Sequence, residues 1–217
     1  MTRRISPRAG DTAHVSIRCN NKKYYLNLSD NFFALVSWLN SLEVYYSVQL
    51  HHAVFMSNHL HLLLTPRENN LGQAMSFFLT NTAKYLNYKN DRINHVFGNR
   101  YASTIINDEK HLMNTIRYMY QNPVRALITN DVLSYPYSSL GSYLGFSNPG
   151  IFLTPDLYTK RMFNFGLEGR YEWLNWIEDI YSERELDILR KIHGRSYFKL
   201  TLKQTKEIRD NSLKIIV

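Results

Sequence analysis

Residues 44–65, VYYSVQLHHAVFMSNHLHLLLT, carry the clearest fold signal in this sequence. Residues 44–56 are rich in β-branched and aromatic side chains, which favour strands. A short turn around Ser57-Asn58 follows, and residues 59–65 form a second predicted strand. The stretch therefore predicts two neighbouring strands of one sheet.

Further elements are predicted on the N-terminal side of these strands. Residues 13–19, AHVSIRC, alternate in polarity and predict a strand. Ser29 and Asp30 supply N-cap chemistry for a helix over about residues 30–42.

On the C-terminal side, residues 71–89 have apolar side chains at helical spacing. A strand is predicted at 101–107 and a helix from about 108 to 122, where Pro123 discourages continuation. The order β-α-β-β-α-β plus a helix predicts an α+β fold, a ferredoxin-like split β-α-β antiparallel sheet with an extra helix.

A composition shift at residues 145–155, with two Gly and two Pro, predicts a linker. It divides the chain into a domain over 1–146 and a helical C-terminal extension over 147–217. Two capping-box patterns, at Ser182–Glu185 and Thr201–Gln204, predict short helices there. These helices fit either a small DNA-binding unit or a plain helical cap.

Composition narrows the class of protein. Lys and Arg number 26 against 18 Asp and Glu, a formal charge of +8, which favours a polyanionic partner but also fits an ordinary basic protein. The single cysteine, Cys19, excludes an intramolecular disulfide and a Cys-rich metal cage. With no apolar signal peptide and no apolar run of spanning length, we expect a cytoplasmic protein outside the membrane.

His59 and His61 are two positions apart in a predicted strand. Alternate side chains of a strand share a face, so both imidazoles should point the same way. Such a pair can supply two metal ligands. Histidines on an exposed strand face are also often plain surface residues, and the pair alone leaves both interpretations open.

Tyr118 and Asn122 are four positions apart in a predicted helix and should therefore share a face. A phenol and an amide oxygen would then project to one place. The alternative is that Tyr118 packs in the core and Asn122 caps the helix before Pro123. Tyr120 is about 200° around the helix from Tyr118, so the two phenols cannot both face one site.

Taken together, these segments resemble the single-tyrosine HUH transposases, and more closely the REP-associated tyrosine transposases. The similarity covers about residues 8–146. Five ordered segments carry it: Met56-Ser-Asn-His59-Leu-His61-Leu-Leu-Leu, Phe97-Gly-Asn-Arg100-Tyr101, Tyr118-Met-Tyr-Gln-Asn122-Pro-Val-Arg-Ala126, Tyr135-Pro-Tyr-Ser-Ser139 and Tyr143-Leu-Gly145. Ser57 stands where the family usually has Pro, and Asn99 where it usually has Gly; both positions shape the backbone and neither supplies a catalytic group.

The resemblance implies a role for each matching residue. His59 and His61 match the metal-binding histidines, Tyr118 matches the nucleophile, and Asn122 matches a third metal ligand. The expected cofactor is Mg²⁺ or Mn²⁺, which suits a site containing an amide oxygen and open positions for water and phosphate.

The resemblance also implies the reaction and the partner. Tyr118 would attack a phosphodiester of single-stranded DNA near a hairpin and form a 5′-phosphotyrosine link. Arg100 and Arg125 lie in the matching segments and Arg117 directly precedes one of them, and these three are the candidate DNA contacts. Monomer and homodimer both remain open.

Two other functions fit parts of the sequence. A non-catalytic ferredoxin-like module that binds RNA or single-stranded DNA would explain the charge and the fold, and would leave the histidine pair as coincidence. A rolling-circle initiator or relaxase shares the histidine pair and the tyrosine, but the Asn-Pro-x-Arg-Ala segment favours a transposase.

Overall fold

In a computed structural model, which describes residues 6–185, 187 and 189, the chain is built around a four-stranded antiparallel sheet. The strands are β1 (Ala13–Arg18), β2 (Val48–Met56), β3 (His59–Pro66) and β4 (Ala102–Ile105). Their order in the sheet is β2-β3-β1-β4, and every neighbouring pair is antiparallel. This is the split β-α-β arrangement, and it confirms the predicted α+β ferredoxin-like fold.

Helices cover both faces of the sheet. The described α-helices that follow are α1 (Leu28–Tyr46), α2 (Leu71–Lys89), α3 (Glu109–Arg125), α4 (Leu140–Leu144), α5 (Leu157–Asn164) and α6 (Gly166–Glu178). Helices α1 and α2 contribute to one apolar core, and α3, α5 and α6 contribute to a second core on the other side of the sheet.

Successive side chains of β3 point alternately into these two cores. Leu60, Leu62 and Leu64 belong to the core with α1 and α2. Leu63 belongs to the core with α3. Because alternate residues share a face, His59 and His61 lie on the same side of the sheet as Leu63, which is the side that α3 covers.

The free edge of β2 is covered by the segment that follows α3. The Phe55 N–H donates to the Tyr137 carbonyl, and the Ser139 N–H donates to the Ala53 carbonyl, each at 2.9 Å. The Tyr135–Ser139 motif therefore has a structural role, because it pairs an edge that would otherwise be open to other chains.

Helix α1 is longer than predicted at both ends. It begins after Asn27, which has a left-handed backbone and no side-chain capping bond, so Ser29 and Asp30 lie inside the first turn. It runs through residues 44–46, predicted as strand, and stops at Ser47, which has φ 53. Val44 and Tyr45 are 64% and 70% exposed. The preference of such side chains for strands comes largely from packing in a sheet, and here that packing is missing.

Helix α3 also continues past its predicted end, because Pro123 lies inside its last turn. Proline has no N–H to donate to the carbonyl four residues earlier, here that of Met119. The Asn122 side chain compensates: its Nδ2 donates to the carbonyls of Tyr118 (2.7 Å) and Met119 (3.4 Å).

The C-terminal part described in the structure packs closely on α3. Trp173 and Ile177 of α6 share a core with Ile116 and Met119 of α3. The predicted linker contains no helix or strand between α4 and α5. Whether residues 147–217 act as a DNA-binding extension stays a prediction.

The first predicted capping box is confirmed. The Ser182 hydroxyl and backbone N–H both donate to Glu185 Oε2, at 2.6 and 2.8 Å. The second box, Thr201–Gln204, lies outside the described residues. No helix among the described residues is long and apolar enough to cross a membrane.

Candidate active site

A pocket of about 1180 Å³ opens where β1 and β3 meet α3. The sheet contributes three histidines, His14, His59 and His61, and α3 contributes Tyr118 and Asn122. The basic side chains that line the pocket are those of Arg18, Lys22, Arg100 and Arg125. No carboxylate is among the described lining residues, so the pocket favours an anionic ligand.

The structure brings the two predicted histidines together. The rings of His59 and His61 have centroids 5.0 Å apart and are perpendicular. His59 Nδ1 donates to the side-chain carbonyl of Asn58, which leaves its Nε2 with a lone pair. Burial, aided by the charge of Arg18, lowers the pKa of His59 to about 4. His59 is therefore neutral at pH 7, the form that binds metals.

His14 is a third histidine in the pocket, and the sequence analysis missed it. Its Nε2 lies 2.9 Å from Nδ1 of His61, and the two rings are nearly parallel, with centroids 5.1 Å apart. The signal was present in the alternation of AHVSIRC, which puts His14 on the polar face of β1. His61 points to the same side of the sheet, because it is paired with Ser16 and directly paired residues share a face.

Tyr118 reaches the same pocket from α3. It is 8% exposed, and its ring meets that of His61 edge-on with centroids 5.7 Å apart. The Arg125 guanidinium lies 5.5 Å from the centre of the Tyr118 ring. The predicted nucleophile and the histidine pair are therefore neighbours, although they are 57 residues or more apart in the sequence.

Asn122 lines the pocket one helical turn after Tyr118, as the spacing predicts. Because its Nδ2 donates to backbone carbonyls of α3, the side-chain Oδ1 is the atom that can serve as a ligand. Asn122 can thus bind the backbone carbonyls of α3 through Nδ2 and still offer Oδ1 as a ligand.

Tyr120 points to the opposite side of α3. Its hydroxyl contacts Ser139 Oγ at 2.8 Å and His52 Nδ1 at 2.7 Å, and burial raises its pKa above the ordinary value for tyrosine. His52 in turn contacts Asp156, and the neighbouring His51 contacts Thr65 and the Thr154 carbonyl. His51 and His52 therefore bind groups of the protein itself rather than facing the pocket.

Two of the three predicted DNA contacts line the pocket, and Arg117 does not. Its side chain is 1% exposed, forms an ion pair with Asp179 at 2.7 Å and lies over the ring of Tyr181 at 4.3 Å. Helix α6 and the residues after it cover this face of α3. Arg117 therefore holds the C-terminal segment against α3. It does not make the DNA contact that was predicted for it.

The motif around Gly98 positions Arg100 beside the end of β1. Gly98 donates its N–H to the Arg18 carbonyl at 3.1 Å, and a Cβ on Gly98 would lie 3.3 Å from Cα of Asn20. A side chain there would be tight against the Asn20 backbone, so glycine suits the close approach of the two backbones. Asn99 is not among the residues with positive φ, so its departure from the family's glycine needs no unusual backbone.

The donor set is one that a divalent cation can accept, Mg²⁺ or Mn²⁺ as well as other transition metals. It consists of two imidazoles and one amide oxygen, with room in the pocket for water and phosphate oxygens. Among the residues that the structure describes, no group of three or more His, Cys, Asp or Glu side chains is arranged to hold a metal ion. A site here would therefore depend on the amide of Asn122 as its third protein ligand.

By fold and site, the chain is a ferredoxin-like α+β protein whose sheet and adjoining helix form a basic pocket. A solved structure of a REP-associated tyrosine transposase bound to a REP hairpin is similar to it, with a TM-score of 0.56 and 14% sequence identity. The alignment covers 72% of this chain and 93% of that one, and it shows a shared fold. Comparisons with protein-family models and with curated proteins gave no match.

Proposed function

We propose that this protein is a single-tyrosine transposase of the HUH type, which cleaves and rejoins single-stranded DNA. The convergence of Tyr118, His59, His61 and Asn122 on one basic pocket carries the proposal. A phenol, two imidazoles and an amide oxygen are groups suited to metal-assisted transesterification of a phosphodiester. The fold similarity to a tyrosine transposase supports the same assignment.

In the proposed reaction, Tyr118 Oη attacks the scissile phosphorus. The Oη–P bond forms as the P–O3′ bond breaks, the phenol loses its proton, and the departing 3′ oxygen gains one to become a hydroxyl. The 5′ end stays linked to Tyr118 as a phosphotyrosine. Because one ester is exchanged for another, a 3′ hydroxyl can attack the link and reseal the strand without ATP.

The proposed cofactor is Mg²⁺ or Mn²⁺, which would polarise the phosphate and neutralise charge in the transition state. His59, His61 and Asn122 are the residues that would hold it. The hydrogen bond from His59 Nδ1 to Asn58 would leave Nε2 of His59 as the donor nitrogen for the cation.

The proposed substrate is single-stranded DNA beside a hairpin. The similar solved protein was bound to a REP hairpin. In this chain, the basic pocket side chains that would neutralise phosphates are those of Arg18, Lys22, Arg100 and Arg125. Arg100 and Arg125 are the strongest candidates because they lie in the segments that resemble the family.

A covalent adduct tests the proposal directly. End-labelled single-stranded DNA carrying hairpins from the flank of the gene is incubated with the protein and Mg²⁺ or Mn²⁺, and the products are separated on a denaturing gel. We expect a metal-dependent protein–DNA adduct with the unaltered protein and none with Tyr118→Phe.

Two matched variants identify the attacking residue. Tyr88→Phe changes a tyrosine that is exposed on α2, away from the pocket, and should leave the adduct intact. Tyr120→Phe should also retain it. An adduct that survives Tyr118→Phe but is lost in Tyr120→Phe would contradict the proposed nucleophile. Tight DNA binding without any adduct would instead favour a non-catalytic binding protein.

A further inference from the structure

We propose that His14 is a positioning residue, which fixes the tautomer of His61 so that His61 Nε2 keeps its lone pair for the cation. The inference rests on the proposed metal site and adds a residue that touches neither the metal nor the DNA. Such outer partners of metal-binding histidines are usually carboxylates, carbonyls or water. In this chain an imidazole occupies that place.

The contact between the two histidines is specific. Nε2 of His14 lies 2.9 Å from Nδ1 of His61, and the rings are nearly parallel, with an interplanar angle of 15°. His14 is 2% exposed and His61 is 5% exposed. A buried hydrogen bond between side chains of adjacent strands is held by the register of β1 and β3, so the rings have little freedom to turn.

Only one placement of the proton suits metal binding. A hydrogen bond between two ring nitrogens needs one donor and one acceptor. If His14 donated, Nδ1 of a neutral His61 would be the acceptor, and the proton of His61 would sit on Nε2 and block it. If His61 Nδ1–H donates to His14 Nε2, the Nε2 of His61 is left with its lone pair. His14 must therefore act as the acceptor when the site is ready for a cation.

The neighbours of His14 agree with an outer role. Its ring meets that of Tyr118 edge-on with centroids 6.4 Å apart, so His14 packs against both His61 and the proposed nucleophile. Its Nε2 is already directed at His61. The ring of His61 is therefore in contact with the rings of both His14 and His59.

Mn²⁺ affinity, measured by electron paramagnetic resonance without DNA, tests the inference. His14→Phe keeps a flat ring against His61 but removes the acceptor, and we expect the affinity to fall by about 10–100-fold. His14→Gln places an amide oxygen near the lost Nε2 and should recover most of that affinity. Circular dichroism melting of both variants reports whether the fold is retained.

The unaltered protein gives a second, independent readout. Nitrogen–proton correlation spectra of isotopically labelled histidine distinguish the two neutral tautomers, and we expect His61 protonated on Nδ1. The opposite tautomer in the protein with bound cation would overturn the inference, as would equal Mn²⁺ affinity in His14→Phe. Loss of binding that His14→Gln does not recover would point instead to His14 as a ligand. If the unaltered protein bound no Mn²⁺, the proposed metal site itself would fail as well.

Discussion

Replacing Asp156 with alanine should destabilise the packing of the C-terminal segment against α3. The carboxylate lies 2.8 Å from His52 Nε2 and accepts the Thr159 hydroxyl at 2.7 Å. It also caps α5 by accepting the N–H groups of Tyr158 and Thr159. Through His52 the contacts reach the hydroxyl of Tyr120, on the side of α3 opposite the pocket.

The magnitude follows from the bonds that are lost. Removing an N-cap acceptor costs about 1 kcal/mol. Removing the carboxylate from the fully buried His52 Nε2, whose other contact is the Thr159 hydroxyl at 3.2 Å, costs about 2 kcal/mol more. We therefore expect Asp156→Ala to lower the free energy of unfolding by about 3 kcal/mol, whereas Asp156→Asn, which keeps an acceptor at the cap, should lose less.

Urea unfolding followed by circular dichroism measures the effect. With an m-value of about 3 kcal/mol/M, Asp156→Ala should move the midpoint down by about 1 M. Glu178→Ala, which removes an exposed carboxylate from α6, is the matched control and should leave the midpoint in place. A midpoint for Asp156→Ala equal to that of the control would refute the reasoning.

Two further predictions concern charge. Arg125→Ala should weaken binding of single-stranded DNA and reduce the salt dependence of that binding by about one counterion. Arg117→Ala should instead leave DNA affinity unchanged and lower the free energy of unfolding by about 2 kcal/mol. Fluorescence anisotropy titrations at several salt concentrations measure the DNA affinity of both variants, and urea unfolding measures their stability. Equal losses of DNA affinity in the two variants would contradict the assignment of Arg125 to DNA binding and of Arg117 to packing. Burial raises the pKa of the Asp156 carboxyl, but hydrogen bonds from His52 and Thr159 outweigh it and hold the pKa well below its ordinary value. The contribution of the carboxylate to the free energy of unfolding should be complete above about pH 4 and be lost as the pH falls further. In urea unfolding, the difference in free energy of unfolding between the unaltered protein and Asp156→Asn should therefore narrow at acid pH. A difference that stays constant with pH would count against this prediction.

The parts of the site that were predictable are those that local geometry dictates. A strand places His59 and His61 on one face whatever surrounds it, and a helix does the same for Tyr118 and Asn122. The predicted fold places β1 beside β3, but the register that sets His14 next to His61 comes only from the structure.

The errors arose where tertiary contacts decide the outcome. Arg117 looked like a DNA contact because it adjoins Tyr118, but its direction around the helix places it under α6, which the local sequence does not reveal. Residues 44–46 have strand-like side chains, yet they complete a helix that ends only where Ser47 turns left-handed. Pro123 was expected to end α3, but in a last turn it removes only one hydrogen bond, which Asn122 can replace.

The contacts of Gln121 determine which C-terminal segments this domain can accept. Its fully buried amide donates to the carbonyls of Ile177 and Asp179 at 2.7 and 2.9 Å and accepts the N–H of Tyr181 at 3.2 Å. All three partners are backbone groups, so the bonds do not depend on which side chains stand there. These three bonds would therefore survive a change of side chain in that segment as long as the path of its backbone is kept. A segment with a different path would leave the amide without partners in the interior, one position from the proposed ligand Asn122.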